Sequence, residues 1–246
     1  IKNRQWSAYQ KLIMPDPEKF FNAGAGSAQR VDLANGDILL PIYYREKTAQ
    51  KVNSATVLRC SFDGVNLKYL EHGSELSIDQ PRGFCEPSLC MVKGSFILTL
   101  RNDEAGYVCD SNDGLNFSKP KLWTFDDGME LGNYNTQQHW LVHEDRLFLI
   151  YTRRGANNDN VMRHRAPLFM AEVDLEKLCV IRNSEIELVP NRGARLGNFG
   201  VSRLSANEYL VVVSEWMQTT KPDPFDYTVC QKYGSDNSIF MVKVTF

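Results

Sequence analysis

The residues best suited to chemistry lie in the middle of the chain, in two polar runs. The first, Asn133-Tyr134-Asn135-Thr136-Gln137-Gln138-His139-Trp140, is dense in side chains able to bond sugar hydroxyls. Gln138 would supply such bonds, and Trp140 offers a face on which a pyranose ring can lie. The second begins at Tyr151-Thr152-Arg153-Arg154-Gly155 and passes through an Asn-rich loop into Arg163-His164-Arg165. Little acidic charge lies close by in sequence to pair with these arginines, so an anion is their expected partner. A guanidinium holds both oxygens of a carboxylate through its planar fork. His139 and His164 sit amid Gln, Asn and Arg, and an imidazole that titrates at about 6.5 can move protons near neutral pH. His72 and His143, in polar turns, read as surface residues.

A third feature is Gly193-Ala194-Arg195-Leu196-Gly197-Asn198-Phe199-Gly200. Its glycines suggest a phosphate cradle, but neither a Lys-Ser/Thr pair nor a helical period follows, which excludes a nucleotide loop. The run reads instead as the inner strand of a sheet, with Gly allowing close approach and Arg195 pointing into a pocket.

These groups are positioned by repeats. Ser61-Phe62-Asp63-Gly64-Val65-Asn66-Leu67 and Ser111-Asn112-Asp113-Gly114-Leu115-Asn116-Phe117 follow one formula, each just after a short β-like run. Four times a turn leads into an apolar strand, at Ile38-Leu39-Leu40, Phe96-Ile97-Leu98, Leu147-Phe148-Leu149 and Tyr209-Leu210-Val211. After each comes a second β run: Ala55 to Cys60, Gly106 to Asp110, Pro167 to Val173 and Ser238 to Val244. Each pair reads as the middle of an antiparallel blade, and a period of roughly 40–60 residues is how a blade architecture shows itself in sequence.

Composition narrows the function classes. With 28 basic against 30 acidic side chains and a net charge of -2, no basic excess or Lys/Arg block points to nucleic acid. No apolar stretch reaches the roughly 20 residues of a bilayer-spanning helix. The six cysteines include no Cys-x-x-Cys pair and no His at zinc-ligand spacing, so they read as small buried apolar residues, and neither a metal nor a cofactor is expected.

The Ser-x-Asp-Gly turns resemble the Asp boxes of sialidases and related propellers, where Asp and Ser tie down a hairpin turn; Asp63 and Asp113 are then scaffold, not chemistry. Cys85-Glu86-Pro87-Ser88-Leu89, followed by a strand ending in Arg101, is similar to the sialidase segment in which a Glu opens a blade and the next strand ends in a pocket arginine. That resemblance implies that Arg101, Arg165 and Arg195 hold a substrate carboxylate, with Arg163 competing for the place of Arg165. It also implies that Tyr233, in Lys232-Tyr233-Gly234-Ser235, is a nucleophile whose proton Glu86 takes, since a tyrosine ionising at about pH 10 needs such help. The sialidase first-blade arginine motif and its acid Asp have no counterpart here. Two histidines with a Tyr and an Arg also resemble the sites of propeller-fold polysaccharide lyases.

The sequence therefore predicts one all-β domain over residues 1–246, a sialidase-like β-propeller of five to six blades, the lower count applying if an N-terminal blade is lacking. The expected function is action on acidic oligosaccharides or polysaccharides, first as a sialidase-like glycoside hydrolase. The alternatives are a uronate lyase using His139 or His164, and a glycan-binding propeller without chemistry. That substrate class points to a secreted or periplasmic setting.

Overall fold

All eight strand runs become strands, and they assemble into four antiparallel sheets. The computed structural model describes residues 8–26, 28–49, 51–220 and 222–246. The first sheet contains β1 (Asn22–Gly24), β2 (Val31–Asp32), β3 (Ile38–Arg45), β4 (Ser54–Phe62) and β5 (Leu67–His72). The second contains β6 (Cys85–Val92), β7 (Ser95–Arg101), β8 (Gly106–Ser111) and β9 (Lys121–Leu122). The third contains β10 (His139–His143), β11 (Arg146–Tyr151), β12 (Leu168–Asp174), β13 (Cys179–Val180) and β14 (Ile186–Val189). The fourth contains β15 (Arg195–Leu196), β16 (Gly200–Arg203), β17 (Glu208–Trp216) and β18 (Ile239–Thr245), with helix α1 (Tyr227–Lys232) in the connection before β18.

Each sheet is a meander. β1 and β2 share one edge of β3 and make one interrupted inner strand, as β15 and β16 do along β17. β13 and β14 likewise form a broken outer strand along β12. The inner strands pack side by side, β6 against β2 and β10 against both β6 and β16, as the blades of a propeller do around an axis. Each predicted strand pair supplies the two middle strands of one sheet, so the described residues hold four blades where five to six were expected.

The core lies between the blades. Leu39, Val57, Leu89 and Leu98 fill the first interface; Trp123, Trp140, Leu149 and Phe169 the second; Leu141, Phe148, Leu168 and Val211 the third. A fourth cluster, with Phe20, Ile42, Tyr44 and Leu58, covers the remaining face of the first sheet. β7 and β11 are flanked by neighbours on both faces and are buried at nearly every position, whereas β17 alternates. A continuous apolar run thus marks an interior blade and an alternating one a blade with an open face.

The repeated turns work locally. Asp63 Oδ1 accepts from the amides of Val65 (2.9 Å) and Asn66 (2.7 Å), while Gly64 takes φ 92°. These bonds hold the carboxyl of Asp63 down to about 2. Asp113 repeats the pattern with Leu115 and Asn116, and Ser111 Oγ accepts from the Gly114 amide at 2.9 Å. Asp174 makes a third such turn with Glu176 and Lys177.

Gln29 pins three blades together. Its Oε1 accepts from the Trp140 amide (2.6 Å) and Ser88 Oγ (3.0 Å), and its Nε2 donates to the Trp140 carbonyl at 2.9 Å. All six cysteines are buried free thiols. His143 is also buried, stacked on Phe246 with ring centroids 4.2 Å apart, so its reading as a surface residue is corrected. Polar neighbours in sequence did not reveal an aromatic from the far end of the chain.

Candidate functional site

The end of β7, the start of β15 and the link before β12 bring Arg101, Arg195 and Arg165 to one mouth of the propeller, with the charge of Arg163 close enough to act on the last two. Arg101 ends β7 and is buried. It donates through Nη1 to Glu86 Oε2 and through Nη2 to Asn135 Oδ1 at 2.8 Å, with Asp103 Oδ1 at 3.4 Å. Glu86 sits in a bulge where the β6 register shifts between Cys85 and Ser88, and it holds φ 41°, a left-handed conformation that a non-glycine residue keeps at some cost. The bulge turns its carboxylate toward Arg101.

Arg165 precedes β12 by a short link and is also buried. Its Nε and Nη2 donate to the Asn135 carbonyl at 3.2 and 2.6 Å. Asn135, at φ 50°, therefore holds Arg165 with its backbone and Arg101 with its side chain; Asn tolerates this conformation better than most residues. The Arg165 carbonyl accepts from the Leu196 amide at 2.7 Å and so binds the start of β15, which carries Arg195.

Arg195 is 4% exposed, its guanidinium carbon lies 3.6 Å from the centre of the Trp216 ring, and its Nε has no hydrogen-bond partner. No carboxylate pairs with it among the described residues. Burial pushes its guanidinium from 12.5 down to about 10, with the charge of Arg163 adding to the effect. Arg165 is pushed to about 10 by burial and then by the charges of Arg101, Arg195 and Arg163, against the opposing pull of Glu86. Such mutual repulsion in a poorly solvated mouth fits an anion guest, because an anion relieves both costs at once.

Beside this cluster stands a hydrogen-bonded tyrosine–histidine pair. The Tyr134 hydroxyl is hydrogen-bonded to His164 Nδ1, and His164 Nε2 lies 3.1 Å from Asp159 Oδ1. Arg154 lies over the Tyr134 ring at 4.2 Å. Burial raises the Tyr134 hydroxyl above its ordinary range, while Arg154, Arg163 and Arg165 pull it down. Arg163 and His164 take consecutive left-handed conformations, φ 59° and 50°, which store strain where the two side chains are presented.

Of the expected site residues, Arg101, Arg165 and Arg195 converge, and Glu86 joins them as the ion-pair partner of Arg101. Tyr233 does not share a hydrogen bond with Glu86. It caps α1, is 57% exposed, rests on Gly193, and lines a separate cleft with Asn157, Asp159, Asn160 and Asn191. That cleft adjoins the Tyr134–His164 pair through Asp159. His139 and His164 take different partners: His139 is buried edge-on against Phe199 at 5.1 Å, and burial holds its imidazole down to about 4.

Gln138 and Trp140 are corrected as sugar-binding residues. Gln138 is buried and accepts from Thr99 Oγ1. Trp140 is 2% exposed, donates from its indole to the Ser88 carbonyl at 2.8 Å and packs on Trp123. Both sit at blade interfaces, which the polar run alone does not reveal. The residues missed were Tyr134 and Asn135, within that same run, and Trp216, a lone aromatic at a strand end that carried no signal. Among the described residues no group of three or more His, Cys, Asp or Glu is placed to hold a metal ion, and no helix is long and apolar enough to cross a membrane.

No protein-family profile matches the sequence, and no curated protein resembles it. Solved structures do resemble the fold. A protein of unknown function from Dyadobacter fermentans superposes with a TM-score of 0.57 at 17% identity, over 89% of this chain and 53% of that one. Trypanosoma rangeli sialidase with the inhibitor DANA gives 0.53 at 13%, over 92% and 32%. A GH43_1 enzyme from Xanthomonas citri gives 0.55 at 12%, over 88% and 73%. The chain thus spans about half the length of the first and a third of the second. At such identities the likeness is one of fold, an all-β propeller.

Proposed function

We propose that the chain is a carbohydrate-active enzyme on acidic glycans, with Arg101, Arg165 and Arg195 as the clamp for a sugar carboxylate and sialidase-like glycoside hydrolysis as its reaction. Arg195 carries this reading: a buried guanidinium with no acidic partner, stacked on Trp216 beside two further arginines, is costly unless an anion completes it. The propeller fold shared with a sialidase and a GH43_1 enzyme supports it. In this reading a tyrosine oxygen attacks the anomeric carbon while a base takes its proton; the bond to the glycosidic oxygen breaks, the departing oxygen takes up a proton, and water then releases the sugar from the tyrosine. Tyr134 suits that role better than Tyr233, because His164 Nδ1 already meets its hydroxyl and Arg165 lies beside it.

The same pair favours a second reading. In a uronate, clamped by the arginines, the proton on the carbon next to the carboxylate is acidified. His164 or Tyr134 takes it, the bond to the glycosidic oxygen breaks as a double bond forms, and the other group protonates the departing oxygen. His164 stands between Tyr134 and Asp159 as such a relay requires.

Incubation with sialylated and uronate-containing glycans separates the readings. New reducing ends without the ultraviolet absorbance of an unsaturated uronate support hydrolysis, and rising absorbance supports elimination. Binding without either product leaves a glycan-binding propeller. Tyr134→Phe abolishes turnover on both enzymatic readings, whereas Tyr233→Phe does so only if Tyr233 is the nucleophile.

A further inference from the structure

The loop that follows β17 builds a second groove beside the arginine mouth. Thr219 N donates to the Pro224 carbonyl at 3.0 Å, Asp223 Oδ1 accepts from the Phe225 amide at 2.9 Å, and Asp226 caps α1 through the Thr228 amide at 3.1 Å. The described part of this loop presents Phe225 (71% exposed) and Tyr227 (56%) outward, facing one groove with Trp216 (52%). Three aromatic side chains more than half exposed around one concavity make an apolar surface that soluble chains rarely leave without use.

The groove also contains polar groups. Gln218 lines it, is 6% exposed, and its Oε1 has no hydrogen-bond partner. Gln231 and Asn237 add exposed amides. Asp236 is the one charged residue lining the groove among the described residues, and Arg192 pairs with it at 3.0 Å, so this lining offers no unpaired cation to an anionic guest. The groove is continuous with the arginine mouth: Trp216 carries Arg195 on its ring, and the Gln218 carbonyl accepts from the Arg195 amide at 3.4 Å.

We infer that this groove is a subsite for an uncharged sugar residue linked to the acidic sugar held by the arginines. The inference rests on the carboxylate reading of that clamp. A pyranose presents a face of C–H groups to the aromatics and hydroxyls to the exposed amides of Gln231 and Asn237, the two features this lining asks for. The preferred ligand is then an acidic–neutral oligosaccharide, not a run of acidic sugars.

Calorimetric titration tests this with N-acetylneuraminate against sialyllactose, glucuronate against cellobiouronate, and lactose alone. In the wild type, the neutral extension tightens binding of one acid by about tenfold, as stacking on aromatic rings allows. Phe225→Ala combined with Tyr227→Ala removes that gain and leaves the affinity for the free acid unchanged. Both side chains are exposed, and an unchanged melting temperature verifies folding of the variant. Binding of a free acid with no gain from extension overturns the subsite but not the clamp, as does a gain that survives in the double variant. Failure of every acidic ligand to bind overturns the clamp and the subsite with it.

Discussion

Replacing Arg195 by Met separates function from stability. Burial and the charge of Arg163 move the Arg195 guanidinium from 12.5 to about 10. At about 1.4 kcal/mol per pH unit, that corresponds to about 3 kcal/mol against the charged form in the folded state. The face of Trp216 returns about 1–2 kcal/mol through the cation–π contact at 3.6 Å. Methionine keeps the apolar stem and the contact with the ring but brings no charge, so Arg195→Met is expected to stabilise the fold by about 1–2 kcal/mol. In a chain of this size the melting temperature then rises by about 2–8 °C. Urea denaturation at neutral pH reads the first quantity and a thermal melt the second. The same melts with and without a bound acidic sugar read function: the ligand raises the wild-type midpoint and leaves the variant unmoved. A variant that is less stable by 1 kcal/mol or more, on the order of a lost hydrogen bond, would show that the protein itself satisfies Arg195, and the argument for an anion guest would fall.

Three further perturbations test other links. His139 is buried with its imidazole held down from 6.5 to about 4. The unfolded chain therefore takes up a proton that the folded chain refuses between these values, and stability falls as pH drops from about 6.5 to about 4, by up to about 3 kcal/mol; the stability difference between wild type and His139→Gln, followed by urea titration across that window, should narrow correspondingly. Gln29→Ala leaves the amide and carbonyl of buried Trp140 without their partner and should cost about 2–3 kcal/mol in the same assay, with a neutral effect counting against a pin across the blades. Glu86→Gln removes the charge facing buried Arg101 and is expected to destabilise the protein by about 3 kcal/mol while abolishing turnover of an acidic glycan; a stable, active variant would remove Glu86 from the site.

Local pattern determined much of this protein by itself. The strand pairs follow from apolar runs between turn residues. The turns at Asp63, Asp113 and Asp174 follow from a carboxylate bonding amides two and three residues ahead, an interaction complete within a few residues. The arginines stood out because few carboxylates lie near them in sequence, yet Arg153 finds Glu185 and Arg101 finds Glu86 once the chain is folded. What each polar residue of the 133–140 run does was decided elsewhere. Trp140 and Gln138 are buried because the neighbouring blade supplies Ser88 and Thr99, whereas Asn135 bonds two arginines because Arg101 and Arg165 reach it from two sheets. Tyr134 meets His164 only because a left-handed turn at Arg163 and His164 aims the imidazole back across the mouth. Trp216 became a partner of Arg195 through the register of β15 on β17, which sets the two opposite each other. Sequence fixes what a residue can bond. Which bonds remain available depends on burial between blades, and burial is set by contacts between residues far apart in the chain.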